Sequence, residues 1–248
     1  MMICSAVFPA FGQNPQALYQ TRFTLKPGLR IEYFSRKIAG EEGEDLSDLK
    51  VFSAALHVQY DIQEDFYLQA FVGFASSDFQ ALVFRRLPFS VELEAGAIQG
   101  ILFGLEAEKR FFRVGDVEIG VYAQAVYKLG KEERWKLEGL NVEGSVFGKP
   151  SWTRVIVGPV FTYAVYENFS PYLRLCYNNL WGRFRMQQKI QTLEGEEDKE
   201  IKSKGLIDAT LGSIWKLNER FSMIGEAHLL PYSKGVDYGF VLSALIAF

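Results

Sequence analysis

Val236-Asp237-Tyr238-Gly239-Phe240-Val241-Leu242-Ser243-Ala244-Leu245-Ile246-Ala247-Phe248 is the last stretch of the 248-residue sequence. Val236, Tyr238, Phe240, Leu242, Ala244, Ile246 and Phe248 occupy every second place. Asp237, Gly239, Val241, Ser243, Leu245 and Ala247 lie between them. A period of two sends alternate side chains to opposite faces of a strand, whereas a helix requires 3.6. Upstream, Phe52, Ala54, Leu56, Val58, Tyr60 and Ile62 alternate with Ser53, Ala55, His57, Gln59 and Asp61. One face is apolar and the other polar.

Working outward gives about ten such segments, near residues 20–35, 50–62, 66–76, 98–110, 116–129, 152–166, 170–183, 204–217, 221–231 and 235–248. Most reach the ~9–11 residues with which a tilted strand crosses a bilayer. The connections alternate in length. Ile62–Phe66, Phe111–Gly115, Tyr166–Ser170 and Leu217–Phe221 are short. Lys37–Leu49, Ser77–Ala97, Gly130–Ser151 and Arg185–Lys204 are long and charged, and the fifth connection on that side, Pro231–Gly235, is short. Tyr60, Phe66, Phe111, Tyr166, Phe169, Trp215, Phe221 and Phe248 gather at the short-turn ends. Tyr33, Phe52, Phe74, Tyr127, Trp152 and Tyr238 gather toward the long loops. Two aromatic girdles at headgroup level are the expected reading.

Composition excludes other classes. The hydrophobic fraction of 48% and the net charge of −3 exclude a disordered chain. A slightly acidic balance argues against a nucleic-acid partner. No apolar run approaches ~18 residues, so no transmembrane helix is expected. Two cysteines, Cys4 and Cys176, and two histidines, His57 and His228, lie far apart in sequence and give no zinc spacing. No serine elbow, P-loop or dinucleotide fingerprint occurs, so neither metal nor cofactor is expected. Ala10 and Gly12 before Gln13 suggest that residues 1–12 are the remnant of a signal peptide. Residues 13–19 then form a periplasmic N-terminal segment and 20–248 a transmembrane barrel domain. The alternative for the first residues is an ordinary N-terminus without a leader.

On the terminal segment, the strand pattern and the loop alternation, the chain resembles single-chain Gram-negative outer-membrane β-barrels. The resemblance covers residues 20–248, and Gly158-Pro159-Val160-Phe161-Thr162-Tyr163 is similar to a strand of that class. It implies an all-β, closed, antiparallel, up-and-down transmembrane barrel of ten strands, with eight or twelve as alternatives. It implies an integral outer-membrane location, with long loops extracellular and termini periplasmic. Phe240, Leu242, Ile246 and Phe248 resemble the assembly signal that the barrel-assembly machinery reads. Outer-membrane lipids and lipopolysaccharide are the other implied partners, and the protein is expected to be a monomer.

Ten strands leave a lumen only slightly wider than the eight-stranded size that side chains fill. A narrow or plugged polar lumen is therefore expected, with a structural, adhesive or narrow-channel role. Inward places carry Arg30, Glu32, Glu106, Glu118, Arg154, Arg174 and Glu226, which should pair across the lumen because unpaired buried charges are costly. Strand register places Asp208, His228 and Asp237 near one another, a candidate general-base cluster. An outer-membrane hydrolase built on those three is the alternative function. A soluble lipocalin-like ligand-binding barrel is the second. The acidic runs at Glu41, Glu42, Glu44, Asp45 and Asp48, and at Glu194, Glu196, Glu197, Asp198 and Glu200, read as solvated loop tips.

Overall fold

The computed structural model describes residues 24–40, 47–63, 65–93, 96–136 and 144–248. The expected leader remnant, the segment 13–19 and the acids Glu41, Glu42, Glu44 and Asp45 lie outside the described residues. In chain order the strands are β1 (Thr24–Ala39), β2 (Ser47–Gln63), β3 (Phe66–Gln80), β4 (Leu82–Phe84), β5 (Val91–Leu93), β6 (Ala97–Val114) and β7 (Val117–Gly130). They continue as β8 (Glu133–Lys136), β9 (Gly144–Tyr163), β10 (Phe169–Ile190), β11 (Leu193–Ser203), β12 (Ile207–Lys216), β13 (Phe221–Tyr232) and β14 (Gly235–Ile246).

Ten of these close into an antiparallel barrel in the order β1-β2-β3-β6-β7-β9-β10-β12-β13-β14. The seam is the β14–β1 pairing, from Gly28↔Leu245 to Ser35↔Tyr238. Burial follows the period-two pattern. In β2, Phe52, Ala54, Leu56 and Val58 face outward, while Ser53, Ala55, His57 and Gln59 face the lumen. In β14, Tyr238, Phe240, Leu242 and Ile246 face outward. An outer apolar surface that includes Leu56, Phe74, Leu105 and Leu211 is what a membrane barrel requires and a soluble ligand-binding barrel lacks. A register shift between Arg110 and Phe112 is a bulge, and Phe111 and Phe112 are both exposed beside it.

A second closed ring shares most of this wall. β10 pairs β12 over Phe169–Tyr177 but pairs β11 over Trp181–Ile190. β11 then reaches β1 through Ile38↔Ser203 and Ala39↔Lys202. The order β1-β2-β3-β6-β7-β9-β10-β11 therefore also closes, with eight strands. The barrel narrows from ten strands at the short-turn end to eight at the long-loop end, where β11 replaces β12, β13 and β14. Eight strands leave an interior that side chains alone fill. The long-loop half is accordingly packed with buried Phe34, Leu49, Phe79, Ile98, Trp152 and Phe184. The segment between β3 and β6 folds into it and adds Leu82, Phe84 and Leu87.

Two expectations change. Arg185–Lys204 is no loop: it continues β10, turns at Gln191 and returns as β11. Its charges sit on paired strands, where Arg183, Arg185 and Lys189 face Glu200, Asp198 and Glu194 in register. Trp152 is no girdle residue. It is 1% exposed and points into the lumen, where its Nε1 donates to Ser77 Oγ at 3.2 Å. An indole inside a narrow ring fills volume that a ten-strand ring would leave open.

Candidate functional site

The middle of the lumen is filled by charge. Inward parity on β1 delivers Arg30 and Glu32, on β6 Glu106 and Glu108, and on β9 Arg154. Arg174 comes from β10, Asp208 from β12, and Glu226 and His228 from β13. Two groups result, and the Tyr67 hydroxyl joins them by reaching Glu108 Oε2 at 3.5 Å.

In the first, Arg30 Nη1 donates to Glu106 Oε2 at 3.0 Å across the lumen. Tyr122 (3.0 Å) and Gln124 (2.9 Å) donate to the same oxygen, and Tyr67 donates to Glu106 Oε1 at 3.1 Å. Gln124 accepts from Arg154 Nη2 at 3.0 Å, and Arg154 Nη1 lies 2.5 Å from Glu32 Oε1. In the second, Arg174 Nη1 donates to Glu226 Oε1 at 2.9 Å, and the Tyr172 hydroxyl donates to that oxygen at 2.5 Å. Arg174 Nη2 also lies 3.5 Å from Glu108 Oε2. Aromatic faces cover the guanidinium groups. Arg174 lies 3.8 Å from the Tyr122 centroid and 4.6 Å from that of Tyr172, and Arg154 lies 4.9 Å from that of Phe34. Burying each charge costs several kcal/mol, roughly, and these pairings and rings offset it.

His228 bridges two carboxylates. Its Nδ1 lies 3.1 Å from Asp208 Oδ2 and its Nε2 lies 3.2 Å from Glu226 Oε2. Asp208 also accepts from Asn178 Nδ2 at 2.8 Å and from Thr210 Oγ1 at 3.0 Å. Asp237 stands apart: its Oδ2 accepts from the Lys37 backbone N–H at 2.9 Å, and it makes no hydrogen bond or ion pair with His228. Glu226 occupies the place that register alone suggested for Asp237. Thr210 Oγ1 also lies 2.9 Å from Nδ1, so protein groups engage both ring nitrogens of His228. Among the described residues no group of three His, Cys, Asp or Glu side chains is placed to hold a metal ion.

Glu118 lies nearer the short turns, where it accepts from Arg110 Nη1 at 2.9 Å. Arg110 Nε lies 3.3 Å from Glu108, so Glu118 joins the second group through Arg110. Sequence reading omitted Glu108, Arg110, Gln124, Asn178 and the tyrosines Tyr67, Tyr122 and Tyr172. Parity was the available signal, since Glu108 and Arg110 follow Glu106 at steps of two. His57 bonds the Ala244 carbonyl at 3.2 Å and is packed against Gly28. Phe240, Leu242, Ile246 and Phe248 all stand exposed on the outer wall.

Beneath the network, the short-turn end of the lumen holds a cavity of about 910 Å³. Arg30, Glu106, Arg174 and Glu226 form its inner wall. Toward the long loops, the apolar plug begins above the network.

This chain has the fold of the outer-membrane β-barrels. The outer membrane protease OmpT from Escherichia coli aligns with 92% of this chain and 97% of its own, at 11% identity and a TM-score of 0.50. The translocator domain of the autotransporter NalP from Neisseria meningitidis aligns with 94% of this chain and 92% of its own, at 11% identity and a TM-score of 0.47. No protein-family model and no curated protein matches the sequence.

Proposed function

We propose that this chain is an integral protein of the bacterial outer membrane that acts as a closed structural barrel rather than a conduit. Its short turns face the periplasm and its eight-stranded end faces outward. In this reading its partners are the outer-membrane lipids, lipopolysaccharide and the assembly machinery that reads Phe240 to Phe248, and it works as a monomer. The observation that carries the proposal is the double closure of the lumen. The Arg30–Glu106 and Arg174–Glu226 groups cross its middle, and Phe84, Trp152 and Phe184 fill it above. Among the described residues the upper half is filled largely by apolar side chains, and the charges across the middle are held in ion pairs. Catalysis at His228 finds little support, because both ring nitrogens face carboxylates.

Planar-bilayer conductance tests this. The native protein is expected to be silent, and so is Arg154→Ala, because the apolar plug remains. Arg154→Ala combined with Phe84→Ala, which weakens both seals, is expected to conduct. Steady conductance by the native protein overturns the closed barrel in favour of a narrow channel.

A further inference from the structure

The outer wall toward the long loops carries cations to which the protein supplies no counter-charge. β9 and β10 contain no aspartate or glutamate. Tyr127, Thr153 and Trp181 share one row across β7, β9 and β10, and both rings are exposed. Two residues further toward the long loops, about 7 Å along a strand, Ser151 stands opposite Arg183. Another two residues bring Lys149 opposite Arg185. These four side chains take outward places, since Trp152, Phe184 and Met186 among them are buried.

Like charges in direct register are unfavourable until an anion takes them up. Arg185 is taken up on its other side, where Asp198 accepts from its Nε at 2.9 Å and from its Nη2 at 3.1 Å. Glu200 faces Arg183 in register but lies 3.4 Å from Lys202 instead. Lys149 and Arg183 make no hydrogen bond or ion pair among the described residues, and Arg183 acts on Asp198 only from a distance. The two are diagonal neighbours on adjacent strands, roughly 7–8 Å apart at the backbone, a gap that one phosphate can bridge between long side chains. Ser151 stands directly opposite Arg183 and two residues from Lys149, so it adds a hydroxyl donor to the same patch. An ammonium, a guanidinium and a hydroxyl are the donors that bind phosphate oxygens.

The wall beside and below this trio is apolar. Leu129 flanks Ser151, and Tyr127 and Trp181 lead down to Val157 and Tyr177, all of them exposed. An amphiphile with its phosphate on the trio would lay its acyl chains along that wall. We infer that Lys149, Ser151 and Arg183 form a binding site for the phosphate of a phosphorylated saccharolipid, the headgroup chemistry of lipopolysaccharide. The inference rests on the outer-membrane reading proposed above, in which the long-loop end faces outward, and it gives one lipid partner a place and a set of donors.

Native mass spectrometry of the full chain released from detergent micelles tests it. The probes are bisphosphorylated lipid A, the same lipid with its phosphates removed, phosphatidylglycerol and inorganic phosphate. Retention of bisphosphorylated lipid A is expected, about tenfold tighter than any of the other three. Lys149→Gln combined with Arg183→Gln should weaken it about tenfold, and Lys149→Arg combined with Arg183→Lys should preserve it. Lys216→Gln combined with Arg220→Gln removes the same charge from exposed residues at the opposite end and should leave binding unchanged. Heat-modifiable gel migration establishes that each variant is folded. Equal retention of the dephosphorylated lipid, phosphatidylglycerol or inorganic phosphate, or unchanged affinity in the folded Lys149→Gln and Arg183→Gln protein, overturns the inference. A native barrel that inserts into liposomes but does not retain lipid A overturns the inference alone, whereas one that does not insert overturns the membrane reading with it.

Discussion

The Phe71 ring lies flat over Gly104, its register partner on the next strand. A Cβ at position 104 would stand 1.9 Å from Phe71 Cζ. The same arrangement recurs where Tyr172 covers Gly212, with 2.3 Å to Tyr172 Cζ, and where His57 covers Gly28. An inward ring in a narrow barrel has little room to stand upright, so it lies over a neighbour that has no side chain. Arg30 lies over the Phe71 ring, 5.4 Å from its centroid.

Gly104→Ala is therefore expected to destabilise the barrel by about 2 kcal/mol, within the usual range for overpacking. Glycine to alanine in an ordinary strand would stabilise instead. Urea titration of folding into detergent measures the difference. Phe71→Leu combined with Gly104→Ala should recover part of the loss, because the clash partner is smaller. Equal losses in the presence and absence of Phe71 would remove the ring from the explanation.

Arg36 holds the point where the two rings part. It is 1% exposed, donates to Asn178 Oδ1 at 2.8 Å and bonds the carbonyls of Asn178 (3.2 Å) and Gly205 (2.6 Å). It thereby ties β1 to β10 and to the link between β11 and β12. Arg36→Met leaves three buried acceptors without this donor, at roughly 1–3 kcal/mol each where no other partner replaces it. Hydrogen exchange should speed in 202–206 and in the β11 pairing, with β13 and β14 unchanged. Uniform acceleration across the barrel would mean that Arg36 supports the whole fold and not the junction.

The histidine cluster gives a discriminating pair. Glu226→Gln keeps the shape but removes a charge that Arg174 and His228 both contact, so it should cost about 3 kcal/mol or more. Asp237→Asn keeps an oxygen for the Lys37 N–H and should cost about 1 kcal/mol or less, well under the Glu226→Gln loss. Thermal melting in detergent compares them. Reversed magnitudes would restore Asp237 to the cluster.

The outer face of the β10–β11 hairpin carries exposed ion pairs, with Arg185 2.9 Å from Asp198 and Lys189 bonded to Glu194. The Arg185 hydrogen bond holds the Asp198 carboxyl below its ordinary range, and Lys189 does the same for Glu194. A lowered carboxylate contributes stability that is present at neutral pH and is lost as the pH falls through the lowered value. Exposed pairs are worth little, and salt screens them. Arg185→Ala should therefore leave the melting midpoint of the barrel unchanged at pH 7 in 0.15 M salt. A clear loss would show that the pairs, and not the backbone ladder, hold the hairpin.

Strand parity was legible because lipid on one side and packed lumen on the other impose opposite chemistry on alternate residues. Phe52 to Ile62 and Val236 to Phe248 show it without interruption. The same register places His228 opposite both Gly239 and Thr210. The pattern fails where the wall leaves the apolar belt. Along β11 the inward places carry Lys199 and Ser203 beside Ile201 and the outward ones Glu196, Asp198 and Glu200, so a single apolar residue is left to mark the inward face and the alternation is hard to see. Trp152 misled for a related reason. Period two says which face a residue takes only once one neighbour is anchored, and proximity to a loop suggested a girdle instead. The choice of Glu226 over Asp237 depended on side-chain length and height in the barrel, which register does not encode.

The inward segment between β3 and β6 is fastened to the hairpin by its backbone. Gln188, 1% exposed, accepts from the Phe89 N–H at 2.9 Å and donates to the Phe89 carbonyl at 3.3 Å. Glu197 accepts from the Arg86 N–H at 2.7 Å, and Lys199 bonds the Val83 carbonyl. Pro88 lies so close to Gly195 that a Cβ there would stand 2.3 Å from its Cδ. Gln188→Leu preserves bulk but leaves both Phe89 groups without this side chain, an expected penalty of about 1–3 kcal/mol borne locally. Exchange of the amides in 82–89 should rise tenfold or more, with β12 to β14 unaffected. Gly195→Ala should act in the same direction by pushing Pro88 away, through a contact that involves no hydrogen bond. Protection of 82–89 that survives both substitutions would show that the buried Leu82, Phe84 and Leu87 side chains alone hold the plug, and that the hairpin only covers it.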